Sequence, residues 1–223
     1  MNKKTFGIAF LMGAMLLSSC GLSNAIKGGG IGSAAGAALG AGIGKIAGNT
    51  GLGAAIGAVV GGTAGTLIGN KMDKQKRELE EKVKNAKIES INEGQAIRVT
   101  FDSGILFATG SSVLGANSQT ALKDFAASIA SNPQTLLQII GHTDNTGSDK
   151  VNDPLSVNRA KSVYTYLTSH GIAAERMTYL GKGSHEPIAD NTTASGRKEN
   201  RRVEVYILPS QEMIEAAQKG TLK

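Results

Sequence analysis

Gly141-His142-Thr143-Asp144-Asn145-Thr146-Gly147 opens a stretch that runs on to Leu155-Ser156-Val157-Asn158-Arg159-Ala160-Lys161-Ser162-Val163. Leu136, Leu137, Ile139 and Ile140 form an apolar run that stops at Gly141, the pattern of a buried strand. Polar residues with Gly147 and Pro154 follow, the composition of a loop. Ala160, Val163, Tyr164 and Leu167 then recur at helical spacing. The stretch reads as strand, loop, helix. Asp144 leaves the end of the strand, and Arg159 lies in or near the first turn of the helix. One anion and one cation at the mouth of such a unit suit a ligand that carries both charges.

Working outward, residues 96–101 are rich in β-formers, and Ile105, Leu106 and Phe107 continue the strand pattern after an Asp102-Ser103-Gly104 bend. Leu122, Phe125, Ala126 and Ile129 mark an amphipathic helix that ends before Asn132-Pro133. Strands are expected over 135–140, 177–180 and 202–208, and a helix over about 155–169 with its stop at His170-Gly171. Asp153-Pro154 reads as a turn or helix lead-in. Residues 181–200 read as a long polar loop and 210–219 as a short closing helix. Strands interleaved with helices imply an α+β fold, a βαβαββ mixed sheet with helices packed on one face.

The motifs Gly-His-Thr-Asp-Asn-Thr-Gly at 141–147, Leu-Ser-x-x-Arg-Ala-x-x-Val from Leu155, and Asn200-Arg201-Arg202-Val203-Glu204 on the last strand resemble the OmpA-like peptidoglycan-binding domain family. That family includes the C-terminal domain of OmpA and the lipoprotein Pal. The resemblance covers roughly residues 97–208. With the glycine-rich segment ahead of it, the whole arrangement is most similar to lipoproteins of the YiaD type.

The 223 residues suffice for one ordinary domain with extensions. Net charge is +6, from 24 basic and 18 acidic residues, which suits an anionic membrane surface or cell wall. Nucleic acid is disfavoured: there is no Trp, no dense Lys/Arg block and no aromatic–basic interleaving.

Residues 1–19 read as a lipoprotein signal peptide. Lys3 and Lys4 precede a short apolar run, and Leu17-Ser18-Ser19-Cys20 resembles the bacterial lipobox, whose Cys is acylated. Cys20 is the sole cysteine and the expected lipidation site, followed by a linker over 20–27. Over 28–70, Gly28, Gly32, Gly36, Gly40, Gly44 and Gly48 recur every four residues. Asn49-Thr50-Gly51 breaks the register, and Gly53, Gly57, Gly61, Gly65 and Gly69 resume it. Period four places the glycines on one helical stripe, so a glycine-zipper hairpin is expected, with arms of ~31 Å and ~25 Å. Such a stripe allows close helix approach in lipid. Association at the membrane surface, an oligomer, or a flexible spacer are the alternatives.

Residues 71–90 are dense in charge around Leu79 and Val83, and read as a solvated helical linker with pairs such as Glu78–Lys82 and Glu80–Lys84. The folded domain is then expected over 91–210, with a tail over 211–223.

The resemblance implies the site's chemistry. In the family, the Asp matching Asp144 takes the ammonium of a diaminopimelate stem-peptide residue, and the Arg matching Arg159 takes its carboxylate. Guanidinium and carboxylate pair bidentately, and the helix start would add backbone N–H donors. Thr146 and Asn152 match family positions that line the pocket, and Asn145 lies beside Asp144. The family's first loop often supplies a polar Asn or Asp where this chain has Gly110, so the backbone or Ser111 must substitute. On their own, Asp144 reads as a loop cap and Arg159 as a surface residue or a partner for Asp153; both standing at motif positions reverses this in favour of the ligand role. His142 and His185 lack metal spacing and read as polar loop residues. Arg201 and Arg202 read as structural or electrostatic. No cofactor or metal is expected.

The function these features imply is non-catalytic: an outer-membrane lipoprotein whose periplasmic domain holds peptidoglycan noncovalently. The alternative is an oligomerising envelope assembly or stator-like component built on the glycine hairpin. A wall-degrading enzyme is disfavoured, because neither a Ser–His–Asp ordering nor a close carboxylate pair is apparent.

Overall fold

β3 (Thr135–Gly141) forms where the apolar run predicts it, and it sits inside the sheet rather than at an edge. The computed structural model describes residues 61–222; the signal segment, Cys20 and the repeat up to residue 60 lie outside the described residues. β1 (Lys87–Ile91), β2 (Ala96–Asp102), β4 (Met177–Gly181) and β5 (Arg202–Pro209) complete a five-stranded mixed sheet in the order β1-β2-β5-β3-β4. β3 pairs parallel with β4, and every other pairing is antiparallel.

Side chains alternate faces along each strand. The register lines up Ile97, Ile207 and Leu137 in one row and Val99, Val205 and Ile139 in the next. These rows face the helices α3 (Ala116–Ala130) and α4 (Asp149–Ser169), whose Leu122, Phe125, Ile129, Ala160, Val163 and Leu167 join them in one core. Phe101 meets Phe125 edge to face, with ring centroids 5.6 Å apart. The expected βαβαββ core with helices on one face is present, with β1 added at its edge.

Three local expectations change. Residues 103–106 form a short helix, α2 (Ser103–Leu106), not a strand, because the Asp102 carboxylate accepts from the Gly104 N–H at 2.7 Å and caps a turn. The expected polar loop over 181–200 holds α5 (Ala194–Asn200), capped by Thr193 through the Gly196 N–H at 2.9 Å. α4 begins at Asp149, so Pro154 lies inside it. The proline sits close enough to the helix start to forfeit only one early hydrogen bond, which the helix tolerates.

The largest difference lies ahead of β1. Residues 62–82 form α1 (Gly62–Lys82), and its face of Ala64, Gly65, Ile68, Met72, Gln75 and Leu79 is buried. α1 packs against α3 and against the closing helix α6 (Gln211–Gln218), whose Met213, Ile214 and Ala217 belong to the same core. The charged segment is therefore not a solvated linker along its whole surface. Its charges occupy only the outer face, where Lys76 pairs with Glu80 at 2.7 Å. The expected Glu78–Lys82 pairing is replaced by a contact of Glu78 with Asn132.

Candidate functional site

Two glycines set the height of the site. Gly141 and Gly181 are register partners at the C-terminal ends of β3 and β4. A Cβ on Gly141 would overlap the Ser156 carbonyl, and one on Gly181 would overlap Ser156 Oγ and the Val157 N–H. Their bare backbones let α4 settle onto the strand ends. Ser156 fastens it there: its hydroxyl donates to Asp153 O at 2.7 Å and accepts from Gly183 N at 2.9 Å. Arg159 is one helical turn further on.

Arg159 is 2% exposed. Its Nε donates to Ser111 O at 3.0 Å, and its guanidinium lies 5.4 Å from the centre of the Phe107 ring. Next to Gly110, the Ser111 carbonyl is thus engaged by Arg159, and Ser111 Oγ accepts from the Val113 N–H. Gly110 itself has φ +69°, a conformation that disfavours any side chain. Burial, and then the charge of Arg201, hold the Arg159 pKa below its usual value.

Asp144 is 6% exposed. Its Oδ1 accepts from the Thr146 N–H at 2.8 Å, and its Oδ2 pairs with Arg201 Nη1 at 2.5 Å. Burial alone would raise its pKa, but the Arg201 and Thr146 donors outweigh it and the net shift is downward. The carboxylate is therefore held ionised and oriented, as a charge that contacts a ligand must be. The sequence reads Arg201 as structural or electrostatic, and the structure gives it an electrostatic partner that the sequence does not name, Asp144. The signal is the β3–β5 pairing: Gly141 lies opposite Val203, and the His142 N–H bonds Arg202 O, so the chain continues toward Arg201 opposite the loop.

Of the other expected residues, Asn152 is buried and its Nδ2 donates to Thr146 O at 3.2 Å, which pins the loop. Thr146 works through its backbone on Asp144, and Asn145 is exposed at the tip with its N–H toward Asn191 Oδ1. Arg159 does not lie in the first turn of its helix. It sits ~15 Å along from Asp149, too far for the helix start to serve the same ligand atom. Asp153 pairs with His185 at 3.0 Å instead of with Arg159.

Behind the site the sheet carries buried charge. Arg202 Nε meets Glu204 Oε1 at 2.7 Å, and Tyr206 donates to Glu204 Oε2 at 2.7 Å. His142 is 1% exposed, not a loop residue open to water, and neither ring nitrogen has a hydrogen-bond partner; Glu204 Oε2 is 3.8 Å away. Burial, and then the Arg202 charge, push the His142 pKa down to about 4. Among the described residues no group of three or more His, Cys, Asp or Glu is placed to hold a metal ion.

The family comparisons fall on this arrangement. Residues 106–201, from the end of α2 to Arg201, match the OmpA family, and residues 31–76 match a glycine zipper. Over residues 106–201 the chain is thus similar to an OmpA family domain. The lipoprotein YiaD of Escherichia coli (strain K12) is 33% identical over 142 residues, 64% of this chain and 65% of that protein. The peptidoglycan-binding protein ArfA of Mycobacterium tuberculosis (strain ATCC 25618 / H37Rv) is 48% identical over 75 residues, 34% of this chain and 23% of that protein. Among solved structures, the cell wall anchor of the T6SS from Pseudomonas aeruginosa has a TM-score of 0.55 at 28% identity, covering 61% of this chain and 97% of that one. The chain thus spans less than two thirds of either curated relative. The OmpA family match begins within α2, so α1, β1 and β2 precede it and α1 overlaps the glycine-zipper match.

Proposed function

We propose that this chain is a non-catalytic outer-membrane lipoprotein, acylated at Cys20, whose domain holds peptidoglycan noncovalently by the diaminopimelate of its stem peptides. The observation that carries the reading is the pair Asp144 and Arg159. Both are buried, both are fixed by protein hydrogen bonds, and each lies within the other's electrostatic reach. An ammonium meets Asp144, and a carboxylate meets Arg159. Arg201, already on Asp144, adds a second cation at the rim, so the site carries more positive than negative charge and favours the carboxylate end of the ligand. The names of ArfA and the Pseudomonas wall anchor support a wall ligand. YiaD's description as a lipoprotein supports the anchor.

Co-sedimentation of the full-length protein with purified sacculi tests this. Asp144→Ala and Arg159→Ala each remove hydrogen bonds to a charged group, about 1.5–3 kcal/mol, so each should weaken binding by roughly tenfold or more. Both variants must keep the wild-type circular dichroism. Equal sedimentation of all three proteins, or release of soluble muropeptides by the wild type, sinks the proposal.

A further inference from the structure

Beside the Arg159 site a groove of about 540 Å³ runs along α4. One wall is Ser112, Val113 and Leu114; the other is α4, from Asn158 through Lys161 and Thr165 to Ser169. These α4 positions recur every three or four residues, so they form one continuous face ~16 Å long. The groove lies next to the site: Ser112 in one wall follows Ser111, which holds Arg159, and Asn158 in the other wall precedes Arg159. Its walls are braced. Ser162 Oγ donates to Ser112 O at 2.7 Å, and Tyr166 Oη donates to Gln119 O at 2.8 Å. Those struts hold the groove at a fixed width with hydroxyls and amides along it.

Its charge is uneven. Lys161 is exposed near the Arg159 end, and no ion pair is formed by it among the described residues. At the far end the charge of Asp124 is felt by Tyr166. An extended peptide rises ~3.3 Å per residue, so the groove accommodates several residues beyond the one in the clamp. A stem peptide offers a free carboxylate there, because the glutamate that precedes its diamino acid is linked through its side chain.

We propose that this groove receives the carboxylate-bearing stretch of the same peptide ligand, with Lys161 as its counter-ion. The inference rests on the clamp reading of Asp144 and Arg159. It makes the protein a reader of the peptide around the diamino acid rather than of the free amino acid alone. Lys161 touches neither Asp144 nor Arg159 in any hydrogen bond or ion pair, so its replacement leaves the clamp in place.

The test is calorimetric titration of the full-length protein in detergent with three ligands: free diaminopimelate, a disaccharide-tripeptide, and the same tripeptide with its glutamyl carboxylate amidated. Wild type should bind the carboxylate form about tenfold more tightly than the amidated form. Lys161→Glu should lose that preference and bind free diaminopimelate as wild type does. Equal affinity of wild type and Lys161→Glu for the carboxylate tripeptide, with diaminopimelate bound by both, overturns the groove assignment and spares the clamp. Failure of wild type to bind any of the three overturns both.

Discussion

At the residue scale, glycines and one histidine carry the sharpest consequences. Gly141→Ala puts a Cβ into the Ser156 backbone carbonyl, which cannot move without lifting α4 off the strand ends. Overpacking of this kind should cost about 3 kcal/mol. Gly110→Ala meets no atom within 4 Å, and only its φ of +69° opposes the change, so about 1 kcal/mol is expected. Urea midpoints of the two variants separate collision from conformation; a smaller loss at Gly141 than at Gly110 would contradict the close approach. His142 makes a pH prediction. Its folded pKa of about 4 lies below the ordinary 6.5, so the unfolded chain binds the extra proton between those values. Stability contributed by neutral His142 is complete above pH 6.5 and falls as pH drops toward 4, by about 3 kcal/mol. Asp144 and Glu204, whose pKa values are lowered, lose their contributions at still lower pH. Urea melts from pH 7.5 to 4.5 should show the decline, and His142→Asn should flatten it. Asp144 and Arg159 are legible in the sequence because their types and motif positions are local. The partner of Arg201 is not, because only the β3–β5 pairing brings Arg201 to Asp144 across the chain.

At the element scale, β2 to β5 are read well, whereas β1, which falls in the segment read as a helical linker, and the helix starts are not. β3, β4 and β5 announce themselves by apolar runs, and α3 by its periodic Leu122, Phe125 and Ile129. α4 starts at Asp149, ahead of its apolar face, because its first turns carry polar residues and a proline that sequence patterning assigns to a loop. In α1 the helix is read but its burial is not. Ile68, Met72 and Leu79, with the amide of Gln75 between them, are the large side chains of its buried stripe, and a dense field of Lys and Glu surrounds them. Their spacing of four, three and four residues is helical, but the charge masks that this face is buried. The buried stripe predicts the energetics. Met72→Ala or Leu79→Ala should lower the urea stability of the folded domain by 2–5 kcal/mol, roughly the cost of emptying a core position. A solvated linker would give changes within about 0.5 kcal/mol. Denaturation followed by the fluorescence of Tyr164 or Tyr179, remote in sequence from α1, reports whether the loss is global.

At the scale of the whole molecule, α1 joins two parts that the sequence separates. The glycine repeat continues through Gly61, Gly65 and Gly69, yet α1 starts at Gly62 and buries Ala64, Gly65 and Ile68 against the core. The second arm of the expected hairpin, 53–69, therefore shares its last residues with the folded domain. A helical arm limited to 53–61 would measure ~14 Å, about half of a hydrocarbon core. Lipid on the one side and the α6 face on the other cannot both cover the same stripe of α1. The outer face of this turn is then expected to meet water, and Thr66 stands on it, exposed. Thr66→Cys in the full-length protein, with Cys20 replaced by Ser in a parallel control for the proposed acylation, should be labelled by a membrane-impermeant maleimide in detergent-free outer-membrane vesicles opened to admit it. The rate should match that of a cysteine placed at exposed Asn70. Protection at Thr66 but not at Asn70 would place the bilayer boundary inside α1 and return residues 62–69 to a membrane hairpin. Equal labelling would keep residues 62–69 with the folded domain and leave the proposed acylation at Cys20 to account for anchoring.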